Sequence, residues 1–287
     1  MNRSAFEPRT WRLAKGGQLT LGPEAVLMGI INATPDSFSD GGVNDVPSVA
    51  AKTAAQMVTD GAVIIDIGAE STRPGAAEID GKEEIGRLGP VVEAVMASAQ
   101  DAVISVDTYR ADTAAFALEA GAHIVNDVWG LQREPELADI VASHGAGIVI
   151  MHTSRDREVL PDVIEDQRQF FDTSLSIAAN AGVTDDQIVL DPGFGFGKNA
   201  DENFELMARF ETLQEFGLPI LAGTSRKRFI GAATGREADQ RDAGTAATTA
   251  LLRAMGAAVF RVHDVAINAD AAKVADAMLQ ASNPRSN

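Results

Sequence analysis

Eight short apolar runs, each followed by a helical pattern, are the feature that most constrains the fold. The runs are rich in β-branched residues and too uniformly apolar for half-exposed strands, so each predicts a strand buried on both faces. They are VLMGIINA from Val26, VIIDIGA from Val63, VISVDT from Val103, HIVNDV from His123, GIVIMH from Gly147, IVLDPG from Ile188, PILAGTS from Pro219 and VFRVHD from Val259. Eight alternating strand–helix units predict an α/β fold, the (β/α)8 TIM barrel, with a doubly wound open sheet as the alternative.

The segment before the first apolar run predicts a separate small element. TWRLAKGGQLTLG, residues 10–22, alternates apolar and polar side chains around a Gly-Gly pair, which is typical of a β-hairpin. We expect this hairpin to close the N-terminal end of the barrel. No linker or low-complexity tract divides the 287 residues, so a single domain over 1–287 is expected, with a loose tail at 283–287.

Charge and cysteine content exclude several classes of function. The 41 acidic and 24 basic residues give a net charge of −17, which disfavours nucleic acid and anionic membranes as partners. The absence of cysteine excludes disulfides, thiolate zinc sites and a cysteine nucleophile. The N-terminus lacks the apolar core of a signal peptide, and no apolar run approaches the roughly 18 residues of a membrane span, so a cytoplasmic protein is predicted.

Polar side chains gather at the carboxyl ends of the predicted strands, where barrel enzymes place their sites. Taken alone, an Asp at a strand end is often a helix cap, and a His on an apolar strand is usually a core residue. Arg261 could likewise be a purely structural partner of Glu70. Eight such strand ends together predict a binding site, because buried polar groups are costly without partners. The side chains concerned are Asn32, Asp66, Glu70, Asp107, Asn126, Asp127, His152, Asp191, Ser225, Arg226, Lys227, Arg261, His263 and Asp264.

The residue types at these strand ends indicate the kind of ligand. Asp107, Asn126 and Asp191 offer hydrogen-bond acceptors that match the adjacent N–H and NH2 donors of an aminopyrimidinone edge. The cations Lys227, Arg261 and His263 are expected on the opposite side of the mouth, where they suit phosphate oxygens or stack on a ring. A flat nitrogen heterocycle with an anionic group fits this pattern, although nucleotide and amino-acid ligands remain open.

Three irregular stretches add candidate binding segments. INATPDSFSDGG, from residue 31, begins a loop longer than the usual strand-to-helix connection, which indicates a lid, a binding loop or disorder. DPGFGFGKN lacks the spacing of a phosphate-binding P-loop, so a plain glycine-rich turn and a phosphate cradle both remain open. GTSRKRFIG is expected to place Ser225 and two cations at a helix start that favours an anion, with an ordinary Ser cap as the alternative.

Taken in order, the motifs resemble a known family. MGIINATPDSFSDGG, DIGAESTRPGA, SVDT, GAHIVNDV, LDPGFGFGKN, GTSRKRFIG and RVHDV are similar to the motifs of the dihydropteroate synthases of folate biosynthesis, over residues 26–264. The resemblance implies condensation of 7,8-dihydropterin-6-ylmethyl diphosphate with 4-aminobenzoate, with Mg²⁺ as cofactor. It also implies a homodimer and a sulfonamide target, and AGTAATTALLRAMGA is the candidate helix for close packing between subunits.

The resemblance also implies a role for individual residues. The pterin contacts would be Asp107, Asn126, Asp191, Lys227 and Arg261, and the diphosphate contacts Thr72, Arg73, Arg261 and His263. The 4-aminobenzoate contacts would be Phe38, Pro74, Phe196 and Ser225, and Asn32 would support the metal. The catalytic set would be Asn32, Arg73, Lys227, Arg261 and His263. TPDSFSDGG and STRPGAAE would be the two mobile loops, with Asp40 in the closed state and Gly41 and Gly42 as a hinge.

Two other functions compete with this interpretation. A methyltetrahydrofolate corrinoid methyltransferase would be a similar barrel without the first loop or the SRK anion site. A non-catalytic pterin-binding paralogue would have lost a loop or diphosphate residue, whereas Asn32, Arg73, Lys227, Arg261 and His263 are all present. The segments around Trp129 and His152 carry no family motif, so the roles of these two residues stay open.

Overall fold

A computed structural model describes residues 3–33, 46–70 and 78–282. The chain begins with a short 3-10 turn and then an antiparallel hairpin of β1 (Arg9–Arg12) and β2 (Gln18–Leu21). The hairpin lies where the alternating pattern predicts it. Within the described ranges, no helix combines the length and the hydropathy that crossing a membrane requires.

Eight parallel strands of the described residues form the barrel wall, which confirms the predicted (β/α)8 fold and excludes the doubly wound sheet. They are β3 (Val26–Asn32), β4 (Ala62–Gly68), β5 (Val103–Asp107), β6 (Ile124–Asp127), β7 (Gly147–Met151), β8 (Ile188–Asp191), β9 (Leu221–Ala222) and β10 (Val259–Val262). Their order is β8-β7-β6-β5-β4-β3-β10-β9, and the remaining gap is closed by one parallel bridge between Leu190 and Ile220. All eight runs therefore form the strands that their apolar character predicts.

Helices cover the outside of the wall. They are α1 (Val46–Thr59), α2 (Gly81–Ser98), α3 (Ala111–Ala120), α4 (Leu137–His144), α5 (Val163–Asn180), α6 (Ala200–Ala208), α7 (Arg228–Thr234), α8 (Asp242–Ala254) and α9 (Val265–Ser282). Side-chain caps set several of the starts. Asp80 accepts from the Glu83 amide at 2.8 Å at the start of α2, and Asn199 and Glu202 form a reciprocal capping box at α6.

The hairpin closes the N-terminal end of the barrel, as predicted. Trp11, Leu13 and Leu21 are buried against the lower interior residues of the wall, such as Ile124 and Val149. Trp11 is 1% exposed, and its indole N–H donates to the main-chain oxygen of Gln187 at 2.8 Å. Burying a side chain of this kind stabilises the fold by roughly 1.5–3 kcal/mol. The closed lower end leaves the C-terminal mouth as the open end of the barrel.

Candidate active site

The barrel brings the predicted polar residues to one mouth. Asn32, Asp107 and Asp191 are the last residues of β3, β5 and β8, and Asn126 lies in β6. Ser225 and Lys227 follow β9, Arg261 lies in β10, and His263 comes one residue after it. Parallel strands in a barrel end on the same face, so these side chains share a site although the sequence separates them widely.

Asp66 organises the floor of this mouth. Its Oδ2 atom accepts from Arg261 Nε at 2.6 Å and from Asn126 Nδ2 at 3.1 Å, and its Oδ1 accepts from Ser105 Oγ at 2.6 Å. The carboxylate is fully buried, so these bonds replace water. They fix the Asn126 amide with its nitrogen on Asp66, which leaves the amide oxygen as its acceptor for a ligand. Asp66 was not among the predicted ligand contacts, although a lone carboxylate within VIIDIGA was the available signal.

Arg261 lies among the acidic residues. Besides the bond to Asp66, its Nη2 donates to Asp107 Oδ2 at 2.7 Å. The expectation that the cations stand opposite the acceptors is therefore wrong for Arg261, because two buried carboxylates need a counter-charge beside them. Both bonds use the edge of the guanidinium, so neither occupies the flat faces that can stack on a ring.

The alternative that pairs Arg261 with Glu70 is also wrong. Glu70 forms an ion pair with Arg110, which bonds to Glu84 at 3.0 Å and donates to the main-chain oxygen of Ile79 at 2.7 Å. This arginine therefore ties together the chain on both sides of residues 71–77.

The acceptor carboxylates have shifted acidities. Burial raises the pKa of Asp107 to about 7, with the nearby Asp66 carboxylate adding to the effect and Arg261 opposing it. Burial likewise raises the pKa of Asp191, while Lys227 opposes that rise. Perturbed carboxyl groups in a polar mouth are typical of functional sites.

Lys227 lies between Asp191 and the turn that follows β8. Its ammonium donates to the main-chain oxygen of Phe194 and lies 4.5 Å from the centre of the Phe196 ring. Burial lowers the pKa of Lys227 to about 7, although the Asp191 carboxylate favours the charged form. The lysine therefore connects an acceptor predicted for the pterin with an aromatic side chain predicted for 4-aminobenzoate.

Ser225 and His263 form a hydrogen-bonded pair. Ser225 Oγ lies 2.9 Å from His263 Nδ1 and accepts the His263 main-chain N–H at 3.1 Å. Burial, together with the charges of Arg261 and Arg226, lowers the pKa of His263 to about 4. His263 is therefore neutral at pH 7, not the cation that the sequence suggested. The direction of the Ser225–His263 bond follows the tautomer of the neutral imidazole, because a hydroxyl can donate or accept.

The predicted helix start at Ser225 differs from the structure. Helix α7 begins at Arg228 with Lys227 at its N-cap, so Ser225 lies outside the first turn. Arg226, in the left-handed region with φ 57°, forms two hydrogen bonds of 2.7 Å with Asp242. Of the two predicted basic residues, Arg226 is therefore paired with an acidic side chain, and Lys227 is the one that lies beside the site.

The DPGFGFGKN segment is a glycine-rich turn. Gly193 N–H donates to Asp191 Oδ1 at 2.7 Å, Gly195 N–H to Asn203 Oδ1 at 2.7 Å, and Phe196 N–H to the Gly193 oxygen at 3.1 Å. These amides have internal acceptors, which favours the turn over the phosphate cradle. Gly193 has φ +66°, and a Cβ there would collide with the main-chain oxygen of His152. The turn sets the position of Phe196 relative to Asp191.

The two residues left open by the sequence lie beside the mouth. His152 is fully buried and bonds to Asp166 and Lys198. Trp129 has the Arg133 guanidinium over its ring at 4.8 Å and packs edge-on against Tyr109. The His152 main-chain N–H also donates to the main-chain oxygen of the predicted pterin contact Asp191 at 2.8 Å, whereas the ring contacts of Trp129 involve no predicted ligand contact among the described residues.

Several predicted site residues lie outside the described residues. They are Phe38, Asp40, Gly41 and Gly42 of the first loop, and Thr72, Arg73 and Pro74 of the second. Within residues 3–33, 46–70 and 78–282, no group of three or more His, Asp or Glu side chains is arranged to hold a metal. Asn32, half-buried at the end of β3, offers one amide oxygen at the rim. One neutral ligand fits a Mg²⁺ ion that keeps water and substrate phosphate oxygens as its other ligands.

Comparison with known proteins identifies the class and then the family. The model of the family described as "Pterin binding enzyme" matches residues 28–263, so barrel and mouth are those of a pterin-binding enzyme. The dihydropteroate synthase of Bacillus subtilis is 44% identical over 268 residues, covering 92% of this chain and 92% of that protein. The chain belongs to the dihydropteroate synthase family, whose members are transferases. The corrinoid methyltransferase alternative is therefore wrong.

Solved structures agree with this assignment. The dihydropteroate synthase of Xanthomonas albilineans with 4-aminobenzoic acid has a TM-score of 0.88 and 40% identity, covering 96% of this chain and 100% of that one. The Clostridium difficile enzyme in the presence of pteroic acid has a TM-score of 0.87 and 43% identity, covering 90% of this chain and 98% of that one.

Proposed function

We propose that the chain condenses 7,8-dihydropterin-6-ylmethyl diphosphate with 4-aminobenzoate, giving 7,8-dihydropteroate and diphosphate. The observation that carries this proposal is the row of acceptors formed by Asp107, Asn126 and Asp191 around the anchored Arg261. The ring donors of a pterin match these acceptors, and the faces of the guanidinium match its aromatic plane. The family membership and the pteroic acid of the Clostridium difficile structure support the same substrate.

The chemistry requires charge stabilisation more than a strong base. The bond between the pterin methylene and the diphosphate oxygen breaks, and the electron pair leaves with the diphosphate. The ring stabilises the resulting cationic methylene, which the aniline nitrogen attacks before losing a proton. Lys227, Arg261 and the Nε2–H of His263 would stabilise the leaving group, together with Arg73 of the second loop by family resemblance.

Magnesium belongs to this proposal as the ion that accompanies the diphosphate. Asn32 would be its protein ligand, and when bound the ion supplies neutralisation of negative charge on the leaving group. The remaining steps depend on the residues of the chain. Asp107 and Asp191 hold the heterocycle, and Lys227 positions it against Phe196.

The second substrate would lie beyond Phe196. The Phe196 ring has Lys227 at 4.5 Å and the Arg155 guanidinium at 4.6 Å from its centre, so two cations flank one aromatic wall. Ser225 would bind the carboxylate of 4-aminobenzoate, and Phe38 and Pro74 would complete the pocket by family resemblance. Sulfonamides, which resemble 4-aminobenzoate in shape and charge, would compete at this position.

A direct assay tests the proposal. The purified protein is mixed with the pterin diphosphate, 4-aminobenzoate and Mg²⁺, and dihydropteroate is measured beside Asn32→Ala and Lys227→Ala variants. We expect product from the wild type and a loss of at least tenfold in each variant. Tight pterin binding without product would instead support the non-catalytic paralogue. Calorimetry of Lys227→Ala gives a second test, because undiminished pterin diphosphate binding would contradict the role of this lysine.

We also propose a cytoplasmic homodimer. Leu251 of α8 and Val274 and Met278 of α9 are 49%, 71% and 50% exposed, although α8 and α9 pack against each other. These apolar side chains support a subunit interface formed by α9 and by α8, the helix with the small-residue pattern. Sedimentation equilibrium tests it, since Val274→Glu with Met278→Glu should yield monomers if this surface is the interface.

A further inference from the structure

A buried polar cluster lies behind the glycine-rich turn, and the proposed reaction does not use it. It consists of His152 at the end of β7, Arg157 in the following loop, Asp166 in α5 and Lys198 at the end of the turn. His152 is fully buried, and Asp166 is 3% exposed. Buried ionisable groups are costly unless each has a partner, so the connections within the cluster are informative.

Hydrogen-bond directions within the cluster follow from the donors available. Lys198 Nζ lies 2.9 Å from His152 Nδ1 and 3.0 Å from the main-chain oxygen of Gly193. His152 Nε2 lies 2.9 Å from Asp166 Oδ2 and 3.0 Å from Arg157 Nη2. The Lys198 ammonium only donates, so Nδ1 accepts and the neutral imidazole carries its proton on Nε2, which donates to the Asp166 carboxylate while Arg157 donates to Asp166. Lys198, His152 and Asp166 therefore form one directed chain.

The far end of this chain is firmly held. Asp166 also accepts from the Arg157 guanidinium, with one bond of 3.0 Å, and from the Leu160 amide at 2.8 Å. The His152 ring packs on Phe170 with their centres 4.7 Å apart. The imidazole consequently has a fixed position relative to α5 and β7.

The near end reaches the proposed substrate contacts. Gly193, whose main-chain oxygen accepts from Lys198, also donates its main-chain N–H to Asp191 Oδ1 at 2.7 Å. The same oxygen accepts the Phe196 N–H at 3.1 Å, which closes the turn. One residue of the turn thus connects Lys198 with both a pterin contact and the wall of the 4-aminobenzoate pocket.

We propose that Lys198 is a positioning residue that holds the Gly193 peptide against His152, and thereby sets the Asp191 carboxylate and the Phe196 ring for the two substrates. This inference rests on the proposed function for the identity of the substrates. Lys198 itself touches neither substrate, because its bonds are directed to His152 and Gly193.

The electrostatics of the cluster agree with this role. Burial, together with the Lys198 charge, lowers the pKa of His152 to about 3, so the imidazole is neutral. Burial lowers the pKa of Lys198 to about 7, opposed by Asp191 and Asp166 and assisted by Lys227 and Arg157. Asp191 thus has two lysines near it, Lys198 on the side of the turn and Lys227 on the side of the mouth.

Two variants and two binding measurements test the proposal. Lys198→Met removes the donor at similar length, and Lys273→Met on the exposed face of α9 is the matched control. For Lys198→Met we expect about a tenfold weaker affinity for the pterin diphosphate and a similar rise in KM for 4-aminobenzoate. The kcat should stay within about threefold, because Lys227, Arg261 and His263 are unchanged. Wild-type affinity and KM in a folded Lys198→Met protein would overturn the proposal.

Histidine spectroscopy provides a measurement that does not depend on the variant folding. In ¹⁵N-histidine-labelled wild type, His152 should show the neutral tautomer protonated at Nε2 at pH 5 to 6, where Lys198 is an ammonium. In folded Lys198→Met, the His152 pKa should rise because the neighbouring charge is gone. A wild-type His152 protonated at Nδ1 would contradict the directed chain. Pterin affinity and the tautomer can be measured even if no product forms, so failure of the proposed reaction is distinguishable from failure of this inference.

Discussion

The hydroxyl of Ser225 lies 2.9 Å from Nδ1 of His263, so one hydrogen bond joins the residue expected at the 4-aminobenzoate carboxylate to the residue expected at the diphosphate. When the serine hydroxyl donates to Nδ1, the imidazole carries its proton on Nε2. We therefore expect a change at one of these residues to affect the other.

Coupling between these two residues is the first prediction. Ser225→Ala and His263→Gln should each lower kcat/KM, and the double variant should lose less than the product of the two effects. We expect a coupling energy of about 1 kcal/mol, the scale of one hydrogen bond. Steady-state kinetics of the four proteins measure it. Strict additivity would mean that the 2.9 Å bond has no functional role.

The pH dependence of kcat/KM is the second prediction. Asp107, with its pKa raised to about 7, must be ionised to accept from the pterin, so activity should fall as the pH drops below that value. Lys227, with its pKa lowered to about 7, loses its proton as the pH rises, so activity should fall again on the alkaline side. The result is a narrow bell centred near neutrality. In Asp107→Asn we expect the fall in kcat/KM at low pH to disappear. If that fall comes from protonation of a substrate instead, it will remain unchanged in the variant.

These two groups affect stability in opposite pH windows. Between pH 3.8 and about 7 the folded protein holds the Asp107 proton that the unfolded chain has lost, so this group lowers stability as the pH rises. Between about 7 and 10.5 the unfolded chain holds the Lys227 proton that the folded protein has lost, so this group raises stability as the pH rises. Near neutral pH the site therefore carries its greatest electrostatic cost.

Removal of the Asp66 charge is the third prediction. Asp66→Asn leaves the largely buried Arg261 with one carboxylate, which should lower the free energy of unfolding by about 3 kcal/mol and pterin affinity about tenfold. Urea denaturation and calorimetry measure the two effects. Glu165→Gln, which removes an exposed partner of Arg168, is the control and should cost about 0.5 kcal/mol or less. Equal effects in the two variants would contradict the organising role of Asp66.

Substitution of Gly193 is the fourth prediction. Gly193 and Gly145 both have positive φ, +66° and +59°, but a Cβ would collide with His152 only at Gly193. Gly145→Ala should cost about 1 kcal/mol for the left-handed backbone alone. Gly193→Ala should cost several-fold more and also weaken pterin binding, because the turn must move away from Asp191. Thermal denaturation of both variants compares them, and equal losses would show that the turn adapts without strain.

Sequence predicted the strands and the mouth better than the contacts inside it. Apolar runs and strand ends can be identified locally, so Asp107, Asn126, Asp191 and Arg261 were all placed correctly at the C-terminal face. The bond from Arg261 to Asp66 reaches across β3, because Arg261 pairs with Met28 in register while Asp66 pairs with Ile30. Such a contact depends on the register of three strands, which no local pattern reveals.

The misplaced helix start has a different cause. Strand β9 has only two residues, and Arg226 adopts a left-handed conformation that is uncommon for a residue with a side chain. A pattern-based prediction continues directly from strand to helix at this position. The neutral state of His263 was equally hidden, because it results from burial and from Arg226 and Arg261 around the ring.

The single bridge between Leu190 and Ile220 has a consequence for how such an enzyme can change over evolution. Asp191 ends the strand on one side of this join, and Ser225 and Lys227 follow the strand on the other side. The distance between Asp191, the proposed pterin acceptor, and the residues proposed for the second substrate is therefore set where the wall has least main-chain pairing. Substitutions near Pro219 and Ile220 can alter that spacing while the other strands keep their ladders. The acceptance of larger or smaller second substrates can thus diverge without loss of the barrel.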